Sequence, residues 1–141
     1  MTNSPTATLP DANLAAPNAR LVLVVEDNER NARLLEAMLK CGGYVSRWAC
    51  DGTQGLQMAK ELRPMMVITD LQMPGMDGLE MTRHLKEDPQ TASIPVIALT
   101  AHAMAGNREK YLSAGFNDYI TKPIVDETIL IEAIERWLQR R

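Results

Sequence analysis

The chain has 141 residues and a formal net charge of −3, and this length suits one domain with its own core. A general nucleic-acid binder is expected to be basic, so the charge argues against a nucleic-acid partner. No apolar run approaches the roughly 20 residues of a membrane helix, and the first residues lack the pattern of a secretory signal. The two cysteines form neither a CxxC pair nor a metal-ligand pattern, so we expect reduced thiols in a cytoplasmic protein.

Residues 1–19 differ in composition from the rest of the chain. They contain three prolines and show no apolar periodicity, so they cannot bury enough surface to offset the entropy lost on ordering. We therefore predict a disordered tail over residues 1–19 and one folded domain over residues 20–141.

From residue 20 onward, short apolar runs alternate with patterns of helical period. The apolar runs predict five strands, at residues 21–25, 44–49, 65–69, 94–99 and 116–120. The helical patterns predict five helices, at residues 28–41, 53–62, 79–86, 107–114 and 126–139. Gly42 and Gly43 end the first helix, Pro64 follows the second and Gly115 follows the fourth, as is typical of helix ends. Asp126 is a suitable N-cap for the fifth.

The order of elements is a strand followed by a helix, repeated five times. Runs such as LVLVV (21–25) are apolar at every position, as expected for strands buried on both faces of a parallel sheet. We therefore predict an α/β protein with a doubly wound, five-stranded parallel sheet of the flavodoxin-like kind. In such sheets, ligands bind at the carboxyl ends of the strands.

Polar residues follow four of the five predicted strands. Glu26 and Asp27 follow the first, Asp70 the third, Thr100 the fourth and Lys122 the fifth. Three carboxylates at one edge of a sheet repel each other, and a divalent cation would neutralise them. Oxygen ligands favour Mg²⁺, or Mn²⁺, over zinc. We expect Asp27 and Asp70 as direct ligands, with Glu26 acting through water.

This set of residues suits phosphoryl transfer. The cation, the Lys122 ammonium and the Thr100 hydroxyl can each bind one of the oxygens over which a transferred phosphoryl group spreads its charge. Asp70, as an ionised carboxylate, can then be the in-line nucleophile and form an aspartyl phosphate without a separate base. Alone, Asp27 would be explained as an N-cap and Lys122 as a surface charge; their joint placement favours a site.

Four segments carry these residues: EDN (26–28), VITDLQMPGMDG (67–78), ALTAHAM (98–104) and DYITKPI (118–124). Together they resemble the signature segments of the response-regulator receiver domain, in the CheY-like superfamily. The resemblance covers residues 20–141, and the last two segments look most like stand-alone receivers of the DivK type. It implies a single-domain response regulator of a two-component or phosphorelay system, with no DNA-binding output domain.

The resemblance assigns roles in the acidic site. Asp70 corresponds to the phosphoacceptor. Glu26, Asp27, Asp70 and the backbone carbonyl of Gln72 correspond to the metal site. Position 26 departs mildly from the family, because many members have Asp where this chain has Glu. The acidic pair is kept, but the longer side chain can alter metal affinity.

The resemblance also assigns a switch. Thr100 and Lys122 resemble the pair that senses the phosphoryl group. Tyr119 resembles the aromatic residue that swings inward when Thr100 is drawn to the phosphate. The family likeness further favours a cis peptide between Lys122 and Pro123, a bond that the sequence alone does not decide.

The same resemblance implies partners. The phosphoryl donor would be a histidine kinase or a histidine phosphotransfer protein that contacts the rim around Asp70 and helix 28–41. A downstream protein would bind the face formed by helix 107–114, strand 116–120 and helix 126–139. We expect a monomer that is not an enzyme beyond its own phosphorylation and slow dephosphorylation.

Several alternatives stay open at this point. A haloacid-dehalogenase-type phosphatase would have a second Asp two residues after the nucleophile, where this chain has Gln72. An adaptor that has the fold but no longer uses phosphate is another alternative, although all five site residues are present. His102 either shapes access to the phosphoryl group or is a neutral loop residue. The chain also fits either a complete regulator, which its Met1 start favours, or an excised receiver.

Overall fold

The computed structural model describes residues 20–101, 107–124 and 126–138, and the predicted tail and His102 lie outside them. The strands are β1 (Leu21–Val25), β2 (Val45–Ala49), β3 (Met66–Asp70), β4 (Val96–Thr100) and β5 (Asp118–Thr121). The helices are α1 (Glu29–Cys41), α2 (Gly52–Leu62), α3 (Gly78–Glu87), α4 (Asn107–Ser113) and α5 (Glu127–Leu138). Within these ranges no helix combines the length and apolar character needed to cross a bilayer.

The five strands form one parallel sheet in the order β2-β1-β3-β4-β5. This confirms the predicted doubly wound sheet. The chain runs from β1 outward to β2 and then returns past β1 to β3, so the direction of winding reverses between β1 and β3. Doubly wound sheets bind their ligands beyond the carboxyl ends of the strands at this reversal.

The central strands β1, β3 and β4 are buried on both faces, which explains why they are mainly apolar. On one face, Val22 and Val24 of β1 pack with residues of α1 and α5. On the other face, Leu23 and Val25 pack with residues of α2, α3 and α4. In the central strands β1, β3 and β4, the one charged residue is Asp70, at the carboxyl end of β3.

Side-chain caps begin the helices just beyond the carboxyl edge of the sheet. Asn28, Asp51 and Asp77 each accept a hydrogen bond from the backbone N–H three residues later, at 3.1, 2.8 and 2.9 Å. Such caps satisfy backbone donors that a helix leaves unpaired in its first turn. Asp126 accepts from the Thr128 N–H at 2.9 Å ahead of α5, in line with its predicted capping role.

Two strands begin later than the apolar runs predict. β4 begins at Val96 and β5 at Asp118, each two residues after its predicted start. The N–H of Ile94 bonds to Thr91 in a turn, and the N–H of Phe116 bonds to Tyr111 at the end of α4. Ile94 and Phe116 are nevertheless buried, so their apolar character reflects burial in turns.

Candidate functional site

The carboxyl ends of β1 and β3 bring three carboxylates together. Glu26 and Asp27 directly follow β1, and Asp70 is the last residue of β3. One carboxylate oxygen from each of the three lies within 4.8 Å of the others. Glu26 is buried, Asp70 is half-buried and Asp27 is exposed, so the cluster extends from the sheet to the solvent.

Glu26 is the most deeply buried of these carboxylates. Its Oε2 accepts a hydrogen bond from the N–H of Asn28 at 3.1 Å. Its Oε1 is buried and has no hydrogen-bond partner among the described residues, with the Lys122 ammonium 3.8 Å away. Burial raises the pKa of Glu26; the Asn28 hydrogen bond opposes this shift, and the charge of Asp70 adds to it. A buried oxygen that lacks a donor, beside two more carboxylates, fits a divalent cation.

Two hydrogen bonds from β2 hold the backbone of Glu26. Its N–H donates to the carbonyl of Ala49 at 3.0 Å. Its carbonyl accepts from the indole N–H of Trp48 at 2.6 Å. Because that carbonyl belongs to the peptide joining Glu26 to Asp27, the Trp48 side chain helps to orient the acidic pair.

Lys122 follows β5 and reaches past β4 to the carboxylate cluster. Its Nζ donates to Asp70 Oδ2 at 3.1 Å, and its backbone N–H donates to the carbonyl of Thr100 at 2.8 Å. The Lys122–Pro123 peptide is cis, as the family likeness favours. One ammonium therefore offsets part of the charge of three carboxylates.

A cavity of about 160 Å³ lies beside Asp70. Its lining residues are Asp70, Leu71, Gln72, Thr100, Ala101, Tyr111 and Lys122. Thr100 is buried at the end of β4, and its Oγ1 lies 3.2 Å from the hydroxyl of Tyr111. The N–H of Gln72 donates to Asp70 Oδ1 at 3.4 Å, and the metal role of the Gln72 carbonyl stays a prediction. A carboxylate, an ammonium and a hydroxyl thus face one small space.

Comparison with known proteins identifies the family. The sequence model described as "Response regulator receiver domain" matches residues 22–135. The chain belongs to the response regulator receiver family. This confirms the identification made from the four sequence segments.

Relatives and solved structures agree with this assignment. The receiver domain is 40% identical over 117 residues to the polar-differentiation response regulator DivK of Brucella anthropi, covering 83% of this chain and 94% of that relative. A receiver domain of a sensor histidine kinase from Pseudomonas aeruginosa, with a magnesium ion coordinated in its active-site cleft, is 36% identical with a TM-score of 0.78; the match covers 86% of this chain and 98% of that one. A histidine-kinase receiver from Syntrophus aciditrophicus is 33% identical with a TM-score of 0.77, covering 86% and 91%. The protein is therefore a DivK-like receiver-domain response regulator.

Tyr119 occupies a different position in the receiver domain from the other predicted site residues. It lies on β5, is half-buried and does not line the cavity beside Asp70. Its ring centroid is 5.8 Å from that of Tyr111, with the ring planes at 59°. Tyr119 is therefore linked to Thr100 through Tyr111.

Sequence reasoning missed Tyr111 and Trp48. Tyr111 lies within a predicted helix, and Trp48 lies within a predicted strand, so both resemble ordinary packing residues in the sequence. Their polar contacts join segments that are far apart in the chain, from Trp48 to Glu26 and from Tyr111 to Thr100. No local sequence signal reports such contacts.

An apolar groove adjoins the carboxylate cluster of the receiver domain. The groove has a volume of about 350 Å³ and lies between α1 and the segment after β5. Its lining residues are Glu26, Asn31, Leu34, Leu35, Met38, Leu99, Ala101, Lys122, Pro123 and Ile124. Leu34 on its wall is 57% exposed, so the groove presents apolar surface to the solvent. Glu26 and Lys122 belong to both the groove and the charged site, so the two are continuous.

Proposed function

We propose that the receiver domain accepts a phosphoryl group from a phosphohistidine donor onto Asp70, with Mg²⁺ or Mn²⁺ as the required cation. Phosphorylation then changes the affinity of the protein for its partners. The position of Asp70 supports this proposal most. Its carboxylate belongs to a cluster of three and faces a cavity that it shares with Thr100 and Lys122.

Asp70 would act as the nucleophile. One of its carboxylate oxygens attacks phosphorus opposite the leaving nitrogen of the phosphohistidine. The new P–O bond forms as the P–N bond breaks, and the electron pair of the broken bond stays on the imidazole nitrogen, which takes up a proton from solvent. A carboxylate has no proton to lose, so Asp70 needs no general base.

Lys122 and Thr100 would bind the transferred group. The Lys122 ammonium, now 3.1 Å from Asp70 Oδ2, is placed to move from the carboxylate to a phosphoryl oxygen. The Thr100 hydroxyl lines the same cavity and can donate to a second oxygen. Both contacts strengthen as negative charge develops on the phosphoryl oxygens.

The cation would be held by Glu26, Asp27, Asp70 and the backbone carbonyl of Gln72. When bound, Mg²⁺ neutralises the carboxylates and offers positive charge to the phosphoryl oxygens. The buried Glu26 Oε1, which has no donor among the described residues, supports a direct or water-mediated contact from that side chain.

The reaction modifies the protein itself, so we place the receiver domain outside the enzymes that turn over a separate substrate. Attack of water on the aspartyl phosphate would slowly return Asp70 to its free form. A phosphatase that uses an aspartyl phosphate needs a general acid near the nucleophile. Gln72 stands where that class has its second Asp, and an amide cannot fill that role.

Two surfaces would serve the two partners. The apolar groove with the exposed Leu34 shares Glu26 and Lys122 with the site of Asp70, so we place the histidine kinase or phosphotransfer protein there. We place the downstream protein on the α4-β5-α5 face, where Leu112 and Ile129 are 41% and 46% exposed. Exposed apolar side chains favour protein contacts. We propose a cytoplasmic monomer that uses these two faces in turn.

The direct test is phosphorylation in vitro. The protein is incubated with acetyl phosphate and Mg²⁺, and intact-mass spectrometry follows the gain of one phosphoryl group. We expect the wild type to be modified, Asp70→Asn to stay unmodified, and chelation of the cation to prevent the reaction. Asp88→Asn removes a carboxylate at the end of α3 and serves as the matched control, which should react like the wild type.

The result also separates the alternatives. Full modification of Asp70→Asn would move the phosphoacceptor elsewhere. If the wild type stays unmodified with every phosphodonor and its partner binding ignores Mg²⁺, the protein is an adaptor that does not use phosphate. Sustained release of phosphate from a phosphomonoester would instead favour a phosphatase.

A further inference from the structure

Tyr111 contacts Thr100, the threonine that we expect to bind the phosphoryl group. Tyr111 lies on α4 and is 5% exposed. Its hydroxyl lies 3.2 Å from Thr100 Oγ1, and both groups are buried. Tyr111 also lines the cavity that contains Asp70 and Lys122. A helix of the proposed downstream-binding face therefore meets the phosphorylation site at this hydrogen bond.

The ring of Tyr111 is positioned independently of its hydroxyl. It makes an edge-to-face contact with Phe116, at 6.3 Å between centroids and 79° between planes. On another side it contacts the ring of Tyr119 at 5.8 Å. Aromatic contacts of this kind orient a ring without a polar group, so a phenylalanine at position 111 would keep the packing and lose only the hydroxyl.

The chemistry of the hydroxyl groups sets up a competition. A threonine hydroxyl has a single proton, whereas phosphoryl oxygens can only accept hydrogen bonds. Either hydroxyl of the Thr100–Tyr111 pair can be the donor; where Thr100 donates, its proton must leave Tyr111 and turn into the cavity to bind a phosphoryl group on Asp70. The contact with Tyr111 places the Thr100 hydroxyl beside α4 at 3.2 Å, so it stabilises the conformation in which Thr100 faces that helix. A group that stabilises one of two states shifts the equilibrium toward that state.

We propose that Tyr111 is a positioning residue of the phosphorylation site, whose hydroxyl holds Thr100 toward α4 in the unphosphorylated state. The inference rests on the proposed phosphorylation of Asp70. When Thr100 turns to the phosphoryl group it releases Tyr111, which frees α4 and the Tyr119 ring that packs against Tyr111. Phosphorylation is thereby coupled to α4 by a direct contact, in addition to any movement of Tyr119.

The test uses beryllofluoride, a stable mimic of a phosphoryl group on a carboxylate, with saturating Mg²⁺. Fluorine NMR gives its apparent Kd for the wild type, Tyr111→Phe, Thr100→Val and the double variant. We expect Tyr111→Phe to bind beryllofluoride about fivefold more tightly, which is the fold-change for ~1 kcal/mol, the net value of one hydrogen bond. In the Thr100→Val background the same change should have no effect, because the threonine hydroxyl is already gone.

A matched control removes a tyrosine hydroxyl elsewhere. Tyr44 is buried near the start of β2 and packs against Arg20, so Tyr44→Phe should leave the Kd for beryllofluoride unchanged. Weaker or unchanged binding by Tyr111→Phe would overturn the inference, and so would an equal effect in both Thr100 backgrounds, which would indicate packing alone. If the wild type itself binds no beryllofluoride with Mg²⁺, the proposed function fails and the inference fails with it.

Discussion

Glu26 should destabilise the metal-free protein, and Glu26→Gln tests this directly. The side chain is 1% exposed, and one of its oxygens has no hydrogen-bond donor among the described residues. A buried polar group without a partner costs roughly 1–3 kcal/mol. The Lys122 ammonium at 3.8 Å offsets part of that cost. We expect the substitution to raise the free energy of unfolding by about 1 kcal/mol and the unfolding midpoint by roughly 3–5 °C.

The stability of the metal-free protein should also depend on pH, in a direction set by the pKa of Glu26. The pKa of Glu26 is raised above its ordinary value of 4.5, first by burial, so in the folded state the carboxyl keeps a proton that the unfolded chain has lost. The protonated carboxyl of Glu26 therefore contributes its full stabilisation below pH 4.5, and this contribution is lost as the pH rises through the raised pKa. The metal-free wild type should therefore lose stability over this range, and Glu26→Gln should lose less.

Thermal unfolding followed by circular dichroism measures both effects, with chelator and with Mg²⁺. A bound cation stabilises the folded state by an amount that grows with the logarithm of its affinity, so Mg²⁺ should raise the midpoint of the wild type more than that of Glu26→Gln. Glu87→Gln, at the exposed end of α3, is the control and should behave like the wild type. A metal-free Glu26→Gln protein that is less stable than the wild type would refute the reasoning.

Two further substitutions test other contacts. Trp48→Phe removes the indole donor to Glu26 and should weaken Mg²⁺ binding about fivefold by calorimetry, whereas Trp137→Phe, on α5, should not change it. Lys86→Met removes a half-buried ammonium that donates to two backbone carbonyls and to Asn117. It should lower the free energy of unfolding by about 2–3 kcal/mol in urea and leave Mg²⁺ affinity unchanged, because Lys86 lies at the amino edge of the sheet. An equal loss of Mg²⁺ affinity in both tryptophan variants, or no loss of stability in Lys86→Met, would contradict these expectations.

The fold was predictable because its central strands are mainly apolar. The runs that become β1 and β3 lie within one residue of their predicted positions, since burial on both faces favours apolar residues at most positions. The limits of β4 and β5 were not predictable in the same way. Ile94 and Phe116 are as buried as strand residues, yet their N–H groups bond within turns. The hydrophobicity of a residue indicates that it is buried, but it does not indicate which group its backbone N–H bonds to.

The proximity of the candidate site residues was predictable from topology. Parallel strands end at one edge, so residues that directly follow apolar runs must lie near each other there, as Glu26, Asp70 and Thr100 do. The contacts of Trp48 and Tyr111 were not predictable. Each depends on how far a side chain reaches across from a neighbouring strand or helix, and that distance is set by packing.

The charge balance of the site links its parts. Three carboxylates and the Lys122 ammonium carry a formal charge of −2, and a phosphoryl donor that approached without a cation would be repelled by it. A divalent cation would bring this charge to zero, so the proposed requirement for a metal has a physical basis in these residues. The hydroxyls of Thr100 and Tyr111 carry no formal charge, so binding of the cation does not strengthen the contact between them. They are therefore suited to respond to the phosphoryl group itself, while the carboxylates respond to the metal. Exchange of the Thr100 hydroxyl between Tyr111 and a phosphoryl oxygen would then distinguish phosphorylation from metal binding.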